Sequence, residues 1–502
     1  MKTFDITNFG ASRERNDNTD AIGAAIHACH EAGGGTVYIP SGTFKTGPIR
    51  LQSNVTLYLD NGAVLSFTDD FNRYPIVRTR WSGYVCHAFM PLIFGDNVSN
   101  VSIKGDGTID GNGQKWWDIN RKLRRKESYQ SSKTDEIKKW NADFKEPGDT
   151  NLVEWPSQFL RPPLLQFFES EHITISGITL RNSPFWNTHL VFSKNIAIDH
   201  VTFENPDDTP NGDGLDVESC ENVRISNCHF SVGDDCIALK SGINEDGRLY
   251  GRPTKNVAIT NCIMHAGHGG VVFGSENSGG IENVTVSNCV FDGTDRGIRI
   301  KTNRERGAYI RNITVTNIMM DGVLCPIAIN SFYRHGVSRS NQHLLDGEAI
   351  EVSEKTPIVE KIRINNIVAV NTRAAAAFIY GLPEMPIRDL TLTHLTLEMT
   401  EDSSIPGGEP DMVREEIEMS GEGMYLKYVE NCYLQDVRVR QRKGPALFIE
   451  EATTISLNEF STTSQHDNAV VETDNVKDLS IEGRQWKQNK ANFLKQREAV
   501  KE

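Results

Sequence analysis

The sequence of 502 residues lacks long apolar runs. No stretch approaches the roughly 20 consecutive apolar residues that a membrane-spanning helix needs. The first ten residues, MKTFDITNFG, also lack the apolar region of a secretory signal. These absences predict a protein that does not cross a membrane and stays in the cytoplasm, with secretion as the alternative if a signal has been trimmed.

Positive charge is also scarce. The chain carries 53 basic against 67 acidic residues, a net charge of -14. Such a balance argues against nonspecific binding to nucleic acid or to anionic membranes. An acidic protein can still hold an acidic substrate in a locally basic cleft, so the charge does not exclude an anionic ligand.

Cysteine is sparse and is not spaced for metal binding. No two of the nine cysteines stand as C-x-x-C. Four of them follow an asparagine within apolar segments: Cys228, Cys262, Cys289 and Cys432. We expect them to be small buried residues, and the sequence predicts no cofactor.

Helical periodicity is rare, and much of the chain instead consists of a repeated short segment. Short segments that alternate β-branched apolar with polar residues begin at His172, Asn195, Asn222, Asn256, Asn283, Asn312, Lys361 and Asp389. Their intervals are 23, 27, 34, 27, 29, 49 and 28 residues. Period-two alternation is typical of half-buried strands, and we expect the bracketing asparagines to form turns with left-handed backbone.

Units of this length predict an all-β fold, a single parallel β-helix whose stacked coils bury a continuous core. Sandwiches and propellers use similar strands, but the near-constant interval without Asn-Gly hairpin turns favours the solenoid. We predict one catalytic domain over 1–484, with an N-terminal cap over about 1–50 and a charged tail over 485–502. Long loop insertions, expected to be functional, cover about 113–162 and 334–357. The cap contains a helix from Asp20 to Ala32, which ends at Gly33-Gly-Gly35.

Two acidic motifs lie about one coil apart. Asp213 stands in Asn-Gly-Asp, and Asp234 and Asp235 follow 21 residues later in Gly-Asp-Asp. Equivalent positions of stacked coils are about 4.8 Å apart, so the three carboxylates are expected on one surface. Neighbouring residues of a strand face opposite ways. The side chains of Asp234 and Asp235 can therefore both reach this surface only if Gly233 lets the chain bend.

Clustered carboxylates repel one another, so one of them should hold a proton at neutral pH. Cleavage of a glycosidic bond needs such an acid for the leaving oxygen and a second carboxylate to activate water. An inverting reaction would place the two roughly 6.5–9.5 Å apart.

A histidine and two cations follow at similar intervals. His268 lies between two glycines, 33 residues after Asp235, and Arg299 and Lys301 follow 31 and 33 residues after it. A structural histidine and solvated surface charges are the ordinary interpretations. Their position beyond the carboxylates favours a histidine that tunes the acid, and cations that offset the acidic charge and bind a carboxylate, for which Arg suits two-point contact.

In this order, Asn211-Gly-Asp213, Gly233-Asp-Asp235, Gly267-His-Gly269 and Arg299-Ile-Lys301 resemble the four signatures of glycoside hydrolase family 28. This is the polygalacturonase family of right-handed parallel β-helices. The resemblance extends from about Phe4 to the last repeats. It implies inverting, metal-free hydrolysis of α-1,4 links between galacturonates. One departure is Gly212, where threonine is frequent in the family.

The resemblance implies roles for named residues. Asp234 would be the general acid, Asp213 and Asp235 would hold and activate water, and His268 would assist the acid. The substrate contacts it implies are Arg299, Lys301, Asn211, Tyr333 and His189.

The likeness is fullest to bacterial exo-acting members, through Arg161-Pro162, Trp186-Asn-Thr-His189 and Gly274 to Gly280. The insertion from Gly113 to Pro162 would block one end of the cleft and restrict attack to chain ends. We therefore expect an oligo- or polygalacturonate substrate, a monomer, and no nucleic-acid or membrane partner.

Other functions stay open. Relatives in the same family cut rhamnogalacturonan or xylogalacturonan, although retention of Arg299 and Lys301 favours plain galacturonate. A pectate lyase would hold calcium between the aspartates and use an arginine as base. A carbohydrate-binding solenoid without activity, such as an adhesin, is the remaining alternative.

Overall fold

The computed structural model describes residues 2–127, 129, 131–142, 159–337, 339–464, 469–488 and 490–497. Up to residue 240 its strands are β1 Thr3–Asp5, β2 Gly35–Ile39, β3 Gly42–Thr46, β4 Ile49–Arg50, β5 Val55–Leu59, β6 Ala63–Phe67, β7 Ile76–Trp81, β8 Tyr84–Phe89, β9 Ile93–Asp96, β10 Ser99–Gly105, β11 Thr108–Asp110, β12 Leu165–Phe168, β13 Glu171–Ser176, β14 Thr179–Arg181, β15 Thr188–Val191, β16 Lys194–Asp199, β17 Thr202–Glu204, β18 Leu215–Glu218, β19 Glu221–Ser226, β20 His229–Ser231 and β21 Asp235–Lys240.

The later strands are β22 Thr254–Thr260, β23 Ile263–His265, β24 Gly269–Gly274, β25 Ile281–Asp292, β26 Arg296–Lys301, β27 Tyr309–Asp321, β28 Cys325–Asn330, β29 Ile358–Thr372, β30 Ala375–Tyr380, β31 Ile387–Met399, β32 Glu422–Lys427, β33 Val429–Arg440, β34 Lys443–Thr462, β35 Val471–Glu482 and β36 Leu494–Gln496. The helices are α1 Thr19–Glu31, α2 Gln114–Arg124, α3 Ser132–Trp140, α4 Asn244–Tyr250, α5 Arg484–Gln488 and α6 Lys490–Phe493, and short 3-10 turns cover Ile6–Phe9, Phe71–Arg73 and Arg339–Leu345. Among the described residues, no helix is long and apolar enough to cross a membrane.

The chain divides into two compact units, Met1–Gly242 with Arg252–Ala258, and Ile243–Gly251 with Ile259–Glu502. In the first unit, parallel strands of successive coils pair in three ladders. One ladder aligns the buried residues Val37, Leu57, Ile103, Ile175, Ile198 and Ile225. A second aligns Phe44, Leu65, Ile109, Leu180, Phe203 and Phe230. The third consists of β4, β9, β12, β15, β18 and β21.

The second unit is built in the same way from longer strands. One ladder aligns Phe273, Ile300, Ile329, Ile379, Leu426 and Ile449. Another aligns Val286, Val315, Ile364, Leu392, Leu434 and Leu457. The predicted fold class, an all-β right-handed parallel β-helix, is confirmed. The predicted domain boundaries stay a prediction.

The turns follow from the bracketing residues of each repeat. Both ends of the repeated segments adopt positive φ, as at Asn222 and Asn227 with φ of 58° and 56°. Asparagine tolerates this backbone better than most residues. Its side-chain amides also bond from coil to coil, since the Asn256 Nδ2 donates to Asn222 at 3.1 Å. The predicted role of the asparagines is confirmed.

The predicted cap and cysteines also agree with the structure. Helix α1 contacts β1, β2, β4 and β5, and it buries Ile22, Ala25, Ile26 and Cys29 on one face. All nine cysteines are buried, which confirms them as small core residues.

The described parts of the two insertions and the tail contain short helices and turns. The first insertion contributes α2 and α3, while its residues 143–158 lie outside the described part of the chain. The second contains the 3-10 turn Arg339–Leu345. In the tail, α5 and α6 precede a short strand, β36, which pairs with β35 and which the sequence did not predict.

One hairpin in the first unit departs from the parallel pattern. Strands β7 and β8 pair antiparallel around Ser82 and Gly83, with φ of 47° and 86°. Positive φ at both central residues is what a tight hairpin turn requires. The sequence did not predict this hairpin, although Ser-Gly between two strand-like runs is a recognised turn signal.

Candidate active site

The structure brings the three predicted catalytic carboxylates together in the first unit. Asp213 precedes β18, and Asp234 and Asp235 stand at the start of the neighbouring strand β21, whose Ile237 lies beside Leu215. One oxygen from each of the three carboxylates lies within 4.8 Å of the others. Asp213 and Asp235 are buried, and Asp234 is half-buried. The cluster is therefore compact and largely removed from water.

Gly233 is needed here, but not because of an unusual backbone angle. A methyl group on its Cα would lie 2.6 Å from the carbonyl oxygen of Pro206 and 2.7 Å from that of Asp207. Both distances are closer than van der Waals contact, so no side chain fits without moving the backbone. The Asp235 amide then donates to Asp234 Oδ1 at 3.0 Å. Close packing, together with this local bond, aims the aspartate pair.

The electrostatics of the cluster favour a shared proton. Burial raises the pKa of Asp213 well above its ordinary value, and the nearby Asp216, Asp234 and Asp235 raise it further, while Lys240 opposes them. Carboxylates this close titrate as a group rather than one by one. Burial and mutual repulsion thus favour a protonated carboxyl group in this cluster, as an acid catalyst needs.

Lys240 is a member of this site that the sequence did not predict. Its ammonium nitrogen lies 2.9 Å from Asp216 Oδ1 and 3.4 Å from Asp213 Oδ2. Parity along β21 was the available signal: Asp234 and Lys240 are six residues apart, so on a strand they share a face.

His189, predicted to contact substrate, has a different place. It is fully buried, with Nδ1 2.9 Å from Gln166 Nε2 and Nε2 2.8 Å from Glu218 Oε2. Burial lowers the pKa of His189, which keeps the ring neutral. Both ring nitrogens are therefore engaged inside the protein, and the predicted contact of His189 with substrate stays a prediction.

The same buried network attaches the β7–β8 hairpin to the outer face of the third ladder. Thr79 donates to Gln166 and Arg80 donates to Glu218, whose carboxylate also meets His189. Burial alone would raise the pKa of Glu218, but Arg80 and His189 lower it to about 2. Glu218 is therefore ionised, and the hairpin is held by charge as well as by packing.

The side chain of Asn211 is bonded to two arginines. Its side-chain oxygen accepts from Arg161 Nη2 at 2.9 Å and from Arg124 Nη2 at 3.2 Å. Arg161 is fully buried and also donates to the carbonyl oxygens of Pro184 and Pro210, both at 2.7 Å. The carbonyl group of Asn211 therefore holds neighbouring loops, and its predicted contact with substrate stays a prediction.

The remaining predicted residues lie in the second unit. Arg299 and Lys301 alternate on β26 with the core residues Ile298 and Ile300, so both side chains point away from the core. They lie 5.5 Å and 5.4 Å from the ring centre of Tyr333. Three predicted substrate contacts thus form one group.

Asp411 pairs with Arg299 of this group, and the sequence did not predict it. Its Oδ1 accepts from Arg299 Nε at 3.1 Å and from Nη2 at 2.5 Å. Burial opposes ionisation of Asp411, but Arg299 and Arg296 lower its pKa overall. Both partners are buried, and so Arg299 is not the solvated surface charge that its sequence context would ordinarily indicate.

His268 is exposed and lies directly before β24. The preceding Gly267 has φ of 118°, a backbone angle that only glycine adopts without strain. The glycine therefore shapes the entry to the strand, and the predicted assistance of His268 to the acid stays a prediction.

Comparison with known proteins identifies the family. The model of "Glycosyl hydrolases family 28" matches residues 29–160 and 148–354. This chain belongs to that family. The "Probable polygalacturonase" of Vitis vinifera is 33% identical over 374 residues, which are 73% of this chain and 67% of that protein.

Relatives of this family 28 chain include enzymes named for both modes of attack. An "Endo-polygalacturonase" of Pectobacterium carotovorum subsp. carotovorum is 29% identical over 335 residues, 63% of this chain and 72% of the relative. The crystal structure of a hyperthermoactive exopolygalacturonase from Thermotoga maritima superimposes with a TM-score of 0.67 at 28% identity, covering 86% of this chain and 91% of that one. The predicted family, the glycoside hydrolase class and the hydrolysis of galacturonan are confirmed.

Proposed function

We propose that this enzyme is an exo-acting polygalacturonase that cleaves α-1,4 links at an end of a galacturonate chain. The observation that carries the chemistry is the cluster of Asp213, Asp234 and Asp235 within 4.8 Å. Such a cluster supplies both a proton donor and a carboxylate that activates water. The family resemblance supports Asp234 as the acid, with Asp213 and Asp235 holding the water.

The hairpin β7–β8 and helix α2 cover part of the first unit, and this supports attack from a chain end. Hairpin β7–β8 and helix α2 meet in an aromatic cluster, in which Trp116 lies 5.0 Å from Phe89 and 4.3 Å from Phe71 between ring centres. Trp81 of the hairpin stacks on Phe185 at 5.0 Å. Coils that precede the carboxylates are therefore covered on their outer face, and a polymer lying along that face would meet a wall.

The test is a time course on a galacturonate oligomer labelled at its reduced end. An exo enzyme shortens the oligomer by successive units from one end, and the viscosity of a polymer solution falls slowly relative to the release of reducing ends. An early, random spread of labelled products, with a rapid fall in viscosity, would exclude the exo mode.

Inversion is proposed from the family resemblance rather than from the spacing. The nearest oxygens of the carboxylates lie within 4.8 Å, which is shorter than the roughly 6.5–9.5 Å typical of an inverting pair. Proton NMR of the first product decides the point. Inversion of an α link releases the β anomer first, and initial release of the α anomer would refute it.

The alternative functions differ in their products. A lyase would form an unsaturated, ultraviolet-absorbing product and would lose activity with a chelator. We expect neither, because Lys240 already places a positive charge 3.4 Å from Asp213. Parallel assays on rhamnogalacturonan and xylogalacturonan test the decorated substrates, and we expect unbranched galacturonate to be the better substrate.

We further propose a cytoplasmic monomer that binds neither nucleic acid nor membranes. The net charge of -14 supports the absence of nonspecific binding to polyanions. Light scattering of the purified protein would test the monomer.

A further inference from the structure

Lys240 is buried at the end of β21 between two acidic side chains and an aromatic ring. It is 4% exposed. The nitrogen lies 2.9 Å from Asp216 Oδ1 and 3.4 Å from Asp213 Oδ2, and 3.5 Å from the ring centre of Trp186. Burial alone would remove the charge from a lysine, but two carboxylates and the face of an indole favour the ammonium form.

The charges around Asp213 are mostly of its own sign. Among the described residues, the groups that act on Asp213 or Lys240 include Asp216, Asp234, Asp235, Arg161, Cys236 and His189. Cys236 and His189 carry no charge near neutral pH, because burial raises the pKa of the thiol and lowers that of the imidazole. Arg161 donates its hydrogen bonds to the carbonyl oxygens of Pro184 and Pro210 and to Asn211. Lys240 is in direct ion-pair contact with Asp213, 3.4 Å from its Oδ2.

Asp213 needs this cation if it is to act on water. A carboxylate takes a proton from water only in its ionised form. Asp213 is 3% exposed, so burial and its acidic neighbours both favour the protonated form. The ammonium group of Lys240, 3.4 Å from Asp213 Oδ2, favours the ionised form instead. Its ion pair with Asp216 holds it in position.

We propose that Lys240 is a positioning residue for hydrolysis: its ammonium group, held by Asp216 and Trp186, opposes protonation of Asp213 and holds its carboxyl group in place to activate water. This inference rests on the proposed function, because it needs Asp213 as a base. A purely structural ion pair that joins β18 to β21 is the alternative. The two differ in their effect on the pH profile.

The experiment compares the pH dependence of kcat/KM on trigalacturonate for the wild type, Lys240→Met, Lys240→Arg and Asp216→Asn. Removing the ammonium group should raise the pKa of the base, and the acidic limb of Lys240→Met should move to higher pH by about one unit, or about tenfold in rate on that limb. Lys240→Arg keeps the charge and should restore most of the limb position. Lys194→Met, which removes an exposed pair with Glu171 at 2.9 Å, is the matched control and should leave the profile unchanged.

Asp216→Asn keeps the test decisive if Lys240→Met does not fold. Loss of a neighbouring negative charge should move the acidic limb to lower pH, the opposite direction. Equal loss of activity at every pH with unmoved limbs in both variants would overturn the proposal and leave a structural pair. If the wild type does not hydrolyse trigalacturonate or polygalacturonate at all, the proposed function fails instead, so the two failures are distinct.

Discussion

Arg299 and Asp411, which are 112 residues apart in the chain, form a buried ion pair on the outer side of β26. The guanidinium also faces the ring of Tyr333 at 5.5 Å. A substrate carboxylate that reaches Arg299 must therefore share this guanidinium with a carboxylate of the enzyme. The pair makes the segment around Asp411 part of the predicted uronate-binding group.

Asp411→Asn should destabilise the protein strongly. Removing one member of a buried ion pair leaves the other charge uncompensated, at a cost of about 3–5 kcal/mol. The free energy of unfolding in urea measures it. Asp96→Asn, which breaks the exposed pair with Arg50, is the control and should cost no more than about 1 kcal/mol. Equal small losses in both variants would mean that the Asp411 pair is not structurally important.

Glu218→Gln should reveal a contribution to stability that depends on pH. The pKa of Glu218 is about 2 in the folded protein against the ordinary 4.5, so the ionised form stabilises the fold by about 3 kcal/mol near neutral pH. Because this pKa is lowered on folding, the contribution is complete above about 4.5 and is lost as the pH falls toward 2.

Urea unfolding of both proteins at several pH values measures this effect. The gap in unfolding free energy between the wild type and Glu218→Gln should be largest at neutral pH and should close in acid. A gap that is constant with pH would show that hydrogen bonding, rather than charge, accounts for the loss.

Gly233→Ala should impair catalysis through the backbone. The added methyl group would lie 2.6 Å from the Pro206 carbonyl oxygen, so the strand start that carries Asp234 and Asp235 must shift. We expect kcat to fall by about 10²-fold, since small misplacements of reacting groups have effects of this size. Gly23→Ala in α1 is the control, because nothing lies within 4 Å of its added methyl group. It should keep full activity and raise stability by about 0.5–1 kcal/mol.

Asp234→Asn should remove the proton donor without changing shape. Loss of a general acid lowers kcat by about 10²–10⁴-fold, while KM for an oligogalacturonate should change little. Steady-state kinetics with the folded variant checks both parameters. Full activity would refute the role of Asp234 and would favour a carbohydrate-binding solenoid.

Much of the fold follows from local pattern. Strands such as β19 and β25 alternate apolar and polar residues, and asparagines such as Asn222 and Asn227 turn the chain with positive φ. The alternation and the turn asparagines lie within a few residues of each other and repeat at near-constant intervals. The pattern of one coil therefore predicts the pattern of the next. The hairpin β7–β8 stands outside the repeat and was therefore missed.

The site was predictable where its residues share the repeat. Asp213 and the pair Asp234/Asp235 meet because their strands are neighbours in one ladder. The partners Lys240 and Glu218 could have been found by strand parity alone. The burial of His189 could not, because it depends on a hairpin from a distant part of the chain.

The amino-acid order alone determined the coil architecture, the family and the carboxylate cluster, since alternation, turn residues and ordered motifs are all encoded over short distances. Tertiary structure decided which charges are neutralised and by which partner. Asp411 reaches Arg299 from an irregular segment 112 residues away, and no periodic pattern predicts the path of such a segment. Its position depends on packing and on the desolvation of charges, which become defined only in the folded protein.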